Sequence, residues 1–274
     1  MSLPPLREVI AEHGLAARKG LGQHFLLDLN LTAKIARLTE AGPGDVVLEV
    51  GPGPGGLTRA LLDTGADVVA IERDRRIPPI LAQMAEAYEG RLSWAEADAL
   101  AADETALLPR TPAVIASNLP YNISTELLVK WLTVRPRWWS RCVLMFQREV
   151  GERILAEPGS KTYGRLSVLA QAASVPRLGF YLPARAFTPP PKVDSAVLVF
   201  DDKPLPPYLP ALERVTQAAF SQRRKMVRSS LKPVFGPRLE EALEAADVIE
   251  TARAEAIPVA AYEKLSAWLT ASEM

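Results

Sequence analysis

Along the first two thirds of the chain, apolar residues gather in short runs bounded by glycine, proline or polar residues. Val46-Val47-Leu48-Glu49-Val50, Val68-Val69-Ala70-Ile71-Glu72, Ala113-Val114-Ile115-Ala116 and Cys142-Val143-Leu144-Met145-Phe146 predict four buried strands, with a further one expected just before Asp98. Between them, Leu57 to Leu62 and Ser124 to Leu132 carry helical spacing. Strands alternating with helices predict an α/β fold, a parallel sheet with helices on both faces. Arg177 to Leu182 and Ser195 to Phe200 flank a proline-rich loop and are expected to pair antiparallel at one edge. Asp201 to Pro210 then holds four prolines in ten residues and reads as a linker. Beyond it, Leu212, Val215 and Ala219, Leu239 and Leu243, and Tyr262, Leu265 and Leu269 keep helical spacing without strands. Two domains are expected, 1–200 around the sheet and 201–274 as a small C-terminal helical domain.

Composition narrows the function classes only a little. At 274 residues and 48% hydrophobic content, the chain is long enough to bury a sizeable core. The single cysteine, Cys142, excludes an intrachain disulfide and paired-thiol redox chemistry. No run approaches the roughly 20 apolar residues of a membrane span, and the start carries no secretory or transit pattern, so a cytoplasmic protein without a membrane partner is expected. The 32 basic and 32 acidic side chains cancel, which leaves any nucleic-acid signal to local clusters. Arg223, Arg224, Lys225, Arg228 and Lys232 form one such cluster without an acid among them, and Arg148, Arg153, Lys161 and Arg165 are further candidates for phosphate contact. A solvated helix face is the alternative reading of the cluster.

Candidate chemistry follows the strand ends. Gly51-Pro52-Gly53-Pro54-Gly55-Gly56 follows the first strand and leads into a helix, a place where glycines permit close backbone approach to a polar ligand group. Gly51, Gly53 and Gly56 also meet the G-x-G-x-x-G spacing of a dinucleotide site, so NAD and S-adenosylmethionine both remain open here, beside a plain turn. Glu72 closes the second strand about 20 residues on, where an acid accepts from ribose hydroxyls. Asp98 follows the third strand and offers a carboxylate to an adenine amino group, although alone it would more often be a cap or surface acid. Asn118-Leu119-Pro120-Tyr121, after the fourth strand, is a rigid polar corner that can present an amide oxygen and carbonyls to a planar ring. It supplies no proton carrier of the kind hydride transfer needs, and the chain has only two histidines, His13 and His24. Methyl transfer to an amine makes no such demand.

Four segments carry a resemblance across nearly the whole chain: Leu21-Gly22-Gln23-His24-Phe25-Leu26, Glu49-Val50-Gly51-Pro52-Gly53, Asn118-Leu119-Pro120-Tyr121-Asn122-Ile123-Ser124 and Phe187-Thr188-Pro189-Pro190-Pro191-Lys192-Val193-Asp194-Ser195, joined by Tyr163 to Val168. With these the chain resembles the rRNA adenine N6,N6-dimethyltransferases, in the KsgA (RsmA) group that acts on small-subunit ribosomal RNA. The resemblance implies a Rossmann-like S-adenosylmethionine-dependent methyltransferase sheet. It implies cofactor contacts from His24, Leu26, Gly51, Glu72, Asp98 and Asn118, and a target site built from Asn118, Leu119, Pro120, Tyr121 and Phe187. In that site Phe187 would cover the second face of the base opposite Tyr121. It further implies RNA contacts from the C-terminal domain, and a product with N6,N6-dimethyladenosine at two adjacent adenines in a loop near the 3' end of 16S rRNA. The small ribosomal subunit and its rRNA are the expected partners, with no metal, and nothing points to an obligate dimer, so a monomer is expected.

Two departures stand out. The family often has Asn where this chain has His24, and Ile77-Pro78-Pro79-Ile80 is an unusual helix start. Three other readings stay open: a related large-subunit rRNA methyltransferase giving antibiotic resistance, a ribosome-assembly factor that binds RNA without methylating it, and an NAD-dependent oxidoreductase. The intact Gly51, Glu72, Asp98 and Asn118 speak against the second, and the missing hydride-transfer constellation against the third.

Overall fold

A computed structural model of the chain describes residues 3–15, 17, 23–222 and 225–273. In chain order the strands are β1 (Phe25–Leu26), β2 (Val46–Val50), β3 (Asp67–Glu72), β4 (Leu92–Glu96), β5 (Ala113–Ser117), β6 (Trp139–Gln147), β7 (Ser174–Leu182), β8 (Phe187–Thr188) and β9 (Ser195–Asp202). Seven form one sheet in the order β4-β3-β2-β5-β6-β9-β7, and β1 pairs with β8 in a second, two-stranded sheet. Strands β4 to β6 of that order run parallel, and β9 joins β6 antiparallel. The expected α/β architecture is therefore present, with all four apolar runs in the sheet.

Burial explains why the central strands were legible. Every residue of β2 and β5 is buried, and a strand covered on both faces selects a largely apolar run over alternation, broken here only by Glu49 and Ser117. The strand order reverses between β2 and β5, and in open parallel sheets such a reversal leaves a crevice at the carboxyl ends of the strands. At the far edge, β7 lies beside β9, as expected for that pair, but begins three residues earlier than the apolar pattern indicated. It tolerates Pro176 because an edge strand has one side free of ladder hydrogen bonds.

Local chemistry sets the helix starts. Asp28 caps the helix Leu29–Leu38, its carboxylate accepting from the amides of Asn30 at 2.8 Å and Leu31 at 3.3 Å. The helix Pro78–Ala87 starts directly on its prolines, where a missing N–H costs nothing, so the odd Ile77-Pro78-Pro79 sequence makes an ordinary first turn. No helix among the described residues is long and apolar enough to cross a membrane.

The chain divides into two compact units: 1–130, 134–148 and 177–201 in the first, and 131–133, 149–176 and 202–274 in the second. Residues 149–176 thus group with the C-terminal helices, whereas the linker alone suggested a single cut near 201. An aromatic cluster accounts for it. Tyr163 meets Phe220 edge-on at 6.1 Å, Phe220 meets Tyr262 at 5.7 Å, and the Tyr163 hydroxyl donates to the Ile257 carbonyl at 3.0 Å.

Within the first unit, β1 is seated against the helix Gly56–Leu62. A Cβ at Gly56 would stand 2.7 Å from the Leu26 carbonyl oxygen, a backbone atom that cannot swing aside. Gly56→Ala is therefore expected to cost about 1–3 kcal/mol in urea unfolding, the usual range for overpacking. An unchanged midpoint would show that β1 yields freely.

Candidate active site

The crevice at the β2/β5 reversal is walled by 23–26, by the glycine loop after β2, by Glu72 with Arg73, by 97–100 and by 118–123. All of these belong to the first unit. The glycine loop is tight. Gly51 and Gly53 have φ of +70° and +53°, the left-handed region that side chains avoid, and the Gly51 amide donates to the Ile71 carbonyl at 2.9 Å. A Cβ on Gly53 would lie 3.3 Å from the Phe25 ring, so glycine lets the loop pass under β1.

Beneath the loop sit two acids. Glu72, at the end of β3, is 7% exposed and accepts from the amides of Asp74 at 2.7 Å and Gly53 at 3.4 Å, one on each carboxylate oxygen. Burial pushes its pKa up against the pull of those amides. Glu49, in the middle of β2, is 1% exposed and accepts from the Thr58 hydroxyl at 2.7 Å. Burial, and the nearby Glu72 charge to a lesser degree, raise its pKa to about 8. Glu49 was named in the sequence only as part of a motif and given no role, because it sits inside an apolar run. An acid in such a run was the available signal.

Asp98 lies at the rim, its carboxylate 3.2 Å from the Arg73 guanidinium and accepting from the Leu100 amide at 3.1 Å. Gln23 donates at 3.1 Å to Asp74, which Arg76 also binds at 2.9 Å. The hydrogen bonds from Arg76 hold the Asp74 pKa down to about 2. This network ties the segment before β1 to the loop after β3, and it too was invisible to motif reading.

The polar corner is held from two sides. The Asn118 side-chain nitrogen donates to the His24 carbonyl at 3.1 Å, which commits the donor end of an amide that lines the crevice and leaves its oxygen as an acceptor. The Tyr121 hydroxyl and the Ser195 hydroxyl lie 2.6 Å apart, and burial raises the Tyr121 pKa. The His24 imidazole stacks on Tyr121 with centroids 5.7 Å apart, and its Nδ1 lies 2.7 Å from the Pro189 carbonyl, so Nδ1 carries the proton. His24, Leu26, Gly51, Glu72, Asp98, Asn118, Leu119, Pro120 and Tyr121 are thus brought to one crevice.

Phe187 is not among them. It lies in β8 opposite the crevice-lining Leu26, is 3% exposed and packs in the core. The two-residue β1/β8 pairing turns it inward, and no sequence pattern signals so short a strand. Of the RNA candidates, Arg223 and Arg224 lie outside the described residues. Lys225 is exposed, and Arg228 is exposed and paired with Glu250 at 3.4 Å. Both belong to the second unit together with Arg153, Lys161 and Arg165, whereas Arg148 belongs to the first.

Comparison with known proteins decides what kind of crevice this is. The family model described as ribosomal RNA adenine dimethylase matches residues 14–271. The chain belongs to the ribosomal RNA adenine dimethylase family. Among its curated relatives, the ribosomal RNA small subunit methyltransferase A of Phenylobacterium zucineum (strain HLK1) is 55% identical, over 99% of this chain and 95% of that protein. That of Ruegeria sp. (strain TM1040) is 57% identical over 94% of each. Among solved structures, a dimethyladenosine transferase from Plasmodium falciparum superposes with a TM-score of 0.76 at 25% identity, covering 92% of this chain and 99% of that one. The 23S rRNA methyltransferase ErmE superposes with a TM-score of 0.68 at 27% identity, covering 90% and 99%. The small-subunit methyltransferases thus match this chain at 55–57% identity, against 27% for the 23S rRNA methyltransferase.

The raised pKa of Glu49 has a consequence for stability. A carboxyl that is harder to ionise when folded stabilises the fold fully below its unfolded pKa near 4.5 and loses that contribution as pH rises through about 8. Glu49→Gln is expected to gain stability relative to the parent between pH 5 and pH 8, compared by urea unfolding at both. A gap between the two proteins that does not change with pH would contradict a neutral Glu49.

Proposed function

We propose that this chain transfers methyl groups from S-adenosylmethionine to N6 of two adjacent adenines in a loop near the 3' end of 16S rRNA, giving N6,N6-dimethyladenosine during small-subunit biogenesis. The observation that carries this reading is the pairing of Asn118, its side-chain nitrogen committed to the His24 carbonyl, with Tyr121, on which the His24 ring stacks, in the lining of one crevice. The small ribosomal subunit and its rRNA are the proposed partners, met in the cytoplasm by a monomeric enzyme that uses no metal.

The donor set fits the cofactor. Glu72 keeps spare lone pairs on both oxygens for ribose hydroxyls, and Asp98 keeps one for an adenine amino group. Gly51, with no side chain and its backbone at the crevice wall, admits the amino acid part, and His24, Leu26 and Asn118 line the same crevice. Glu49 and Glu72 place two carboxyls near a ligand that bears positive charge. When bound, S-adenosylmethionine supplies an electrophilic sulfonium methyl group.

The chain's own task is to present a poor nucleophile. The adenine N6 lone pair is delocalised into the ring, and acceptors for both N6 hydrogens draw the nitrogen towards tetrahedral geometry. Asn118 Oδ1 is one acceptor. The Pro120 carbonyl already accepts from the Ile123 amide at 3.1 Å, which favours the Leu119 carbonyl as the other. Tyr121 offers a ring for stacking, worth about 1–3 kcal/mol per base. Catalysis is then positioning and electrostatic complementarity, on a base unstacked from a loop where extrusion is cheapest. Lys225 and Arg228, with Arg223 and Arg224, are the proposed phosphate contacts of the second unit.

Incubating the protein with labelled cofactor and each ribosomal subunit separately tests the assignment. Label is expected in adenine of the small subunit, and label confined to the large subunit would overturn it. Asn118→Ala is expected to lower transfer at least about hundredfold, the scale of losing one transition-state hydrogen bond, with the melting temperature unchanged. Full turnover in that variant would remove the proposed acceptor.

A further inference from the structure

One exposed aromatic lies close to the target corner and has no role in the account above. Tyr181, near the end of β7, is 44% exposed, and the Arg148 guanidinium sits over its ring with Cζ 4.7 Å from the centroid. The two are set in place by Asp194. Its backbone carbonyl accepts from the Arg148 amide at 2.8 Å, and its carboxylate accepts from the Ala184 amide at 3.0 Å. Arg148, Arg185, Lys192 and Val193 are exposed close by in sequence, as is the acid Glu149, which is paired with Arg153 at 2.9 Å.

The position relative to the corner follows from the strands. Tyr121 bonds Ser195, and Ser195 pairs across the ladder with Gln147, the residue before Arg148. An antiparallel pair spans about 5 Å, and the next Cα lies about 3.8 Å further. The platform therefore stands on the same carboxyl edge of the sheet as the crevice, within reach of a neighbouring nucleotide. A half-exposed ring beside cations is the combination that binds single-stranded nucleic acid, with the ring taking a base and the cations the backbone.

We propose that Tyr181, with Arg148 over its ring, is a stacking platform for the unpaired base next to the target adenine. The proposal rests on the adenine-methylation reading above, and the base it holds is the second adenine of the adjacent pair. Holding one adenine there while the other occupies the corner keeps the loop unstacked through successive transfers.

The test uses the full chain, small ribosomal subunits lacking these methyl groups, and an RNA hairpin with 2-aminopurine beside the target adenine. Tyr181→Leu keeps apolar bulk without a π face, and Tyr181→Phe keeps the face without the hydroxyl. The Leu variant is expected to raise KM for subunits about tenfold, with kcat and calorimetric affinity for S-adenosylmethionine unchanged, and to lose the 2-aminopurine quenching that the parent and the Phe variant show. Equal KM and equal quenching in the Leu variant would overturn the platform. Absence of methylation by the parent protein would instead overturn the function reading, so the two failures are distinguishable. Melting temperatures of both variants are expected to match the parent, and Tyr181→Ala supplies the same comparison if the Leu variant does not fold.

Discussion

The bond from the Asn118 side-chain nitrogen to the His24 carbonyl joins two parts of the chain that lie 94 residues apart, and the site depends on it. An amide has one accepting and one donating end, and committing the donor fixes where the acceptor points. Without that commitment the corner after β5 would show either end to the crevice. The segment bearing His24 is itself restrained, by the β1/β8 pairing, by the Gln23 to Asp74 bond and by the close seat of Leu26 over Gly56. Each restraint comes from a different element of the first unit.

The same logic explains why acids gather below the glycine loop. A pocket of polar acceptors with two buried carboxyls is costly on its own, since burial disfavours their charge. A ligand carrying positive charge and several hydroxyl donors offsets that cost. Glu49 bonds Thr58 and Glu72 bonds two amides, so both are oriented before any ligand arrives. Preorganisation of this kind suits a reaction in which the protein contributes position rather than a proton carrier.

Much of this was legible in the sequence because the informative residues lie at strand ends. The largely apolar runs at 46–50 and 113–116 located β2 and β5, and Gly51, Glu72, Asp98 and Asn118 stand at or just after strand ends in the serial order that brings them to one edge. What escaped reading depends on contacts across long separations. Phe187 was assigned a pocket wall, but pairing of β8 with the equally short β1 buries it. Residues 149–176 follow the sheet in sequence yet join the helical unit, through an aromatic cluster formed with residues nearly 100 positions later. Ser195 and the Pro189 carbonyl stand in the sequence only as parts of a motif, and they hold Tyr121 and His24 through contacts that span 74 and 165 residues.

On the proposed mechanism, orientation of the Asn118 oxygen, rather than the mere presence of an oxygen there, drives transfer. Asn118→Asp tests it most directly, because the carboxylate keeps two acceptors but has no donor for the His24 carbonyl. Methyl transfer to small subunits should fall to the level of the Ala variant while cofactor is still bound, as read by single-turnover rates and calorimetry on the same preparation. An Asp variant that turns over near the parent rate would contradict the account.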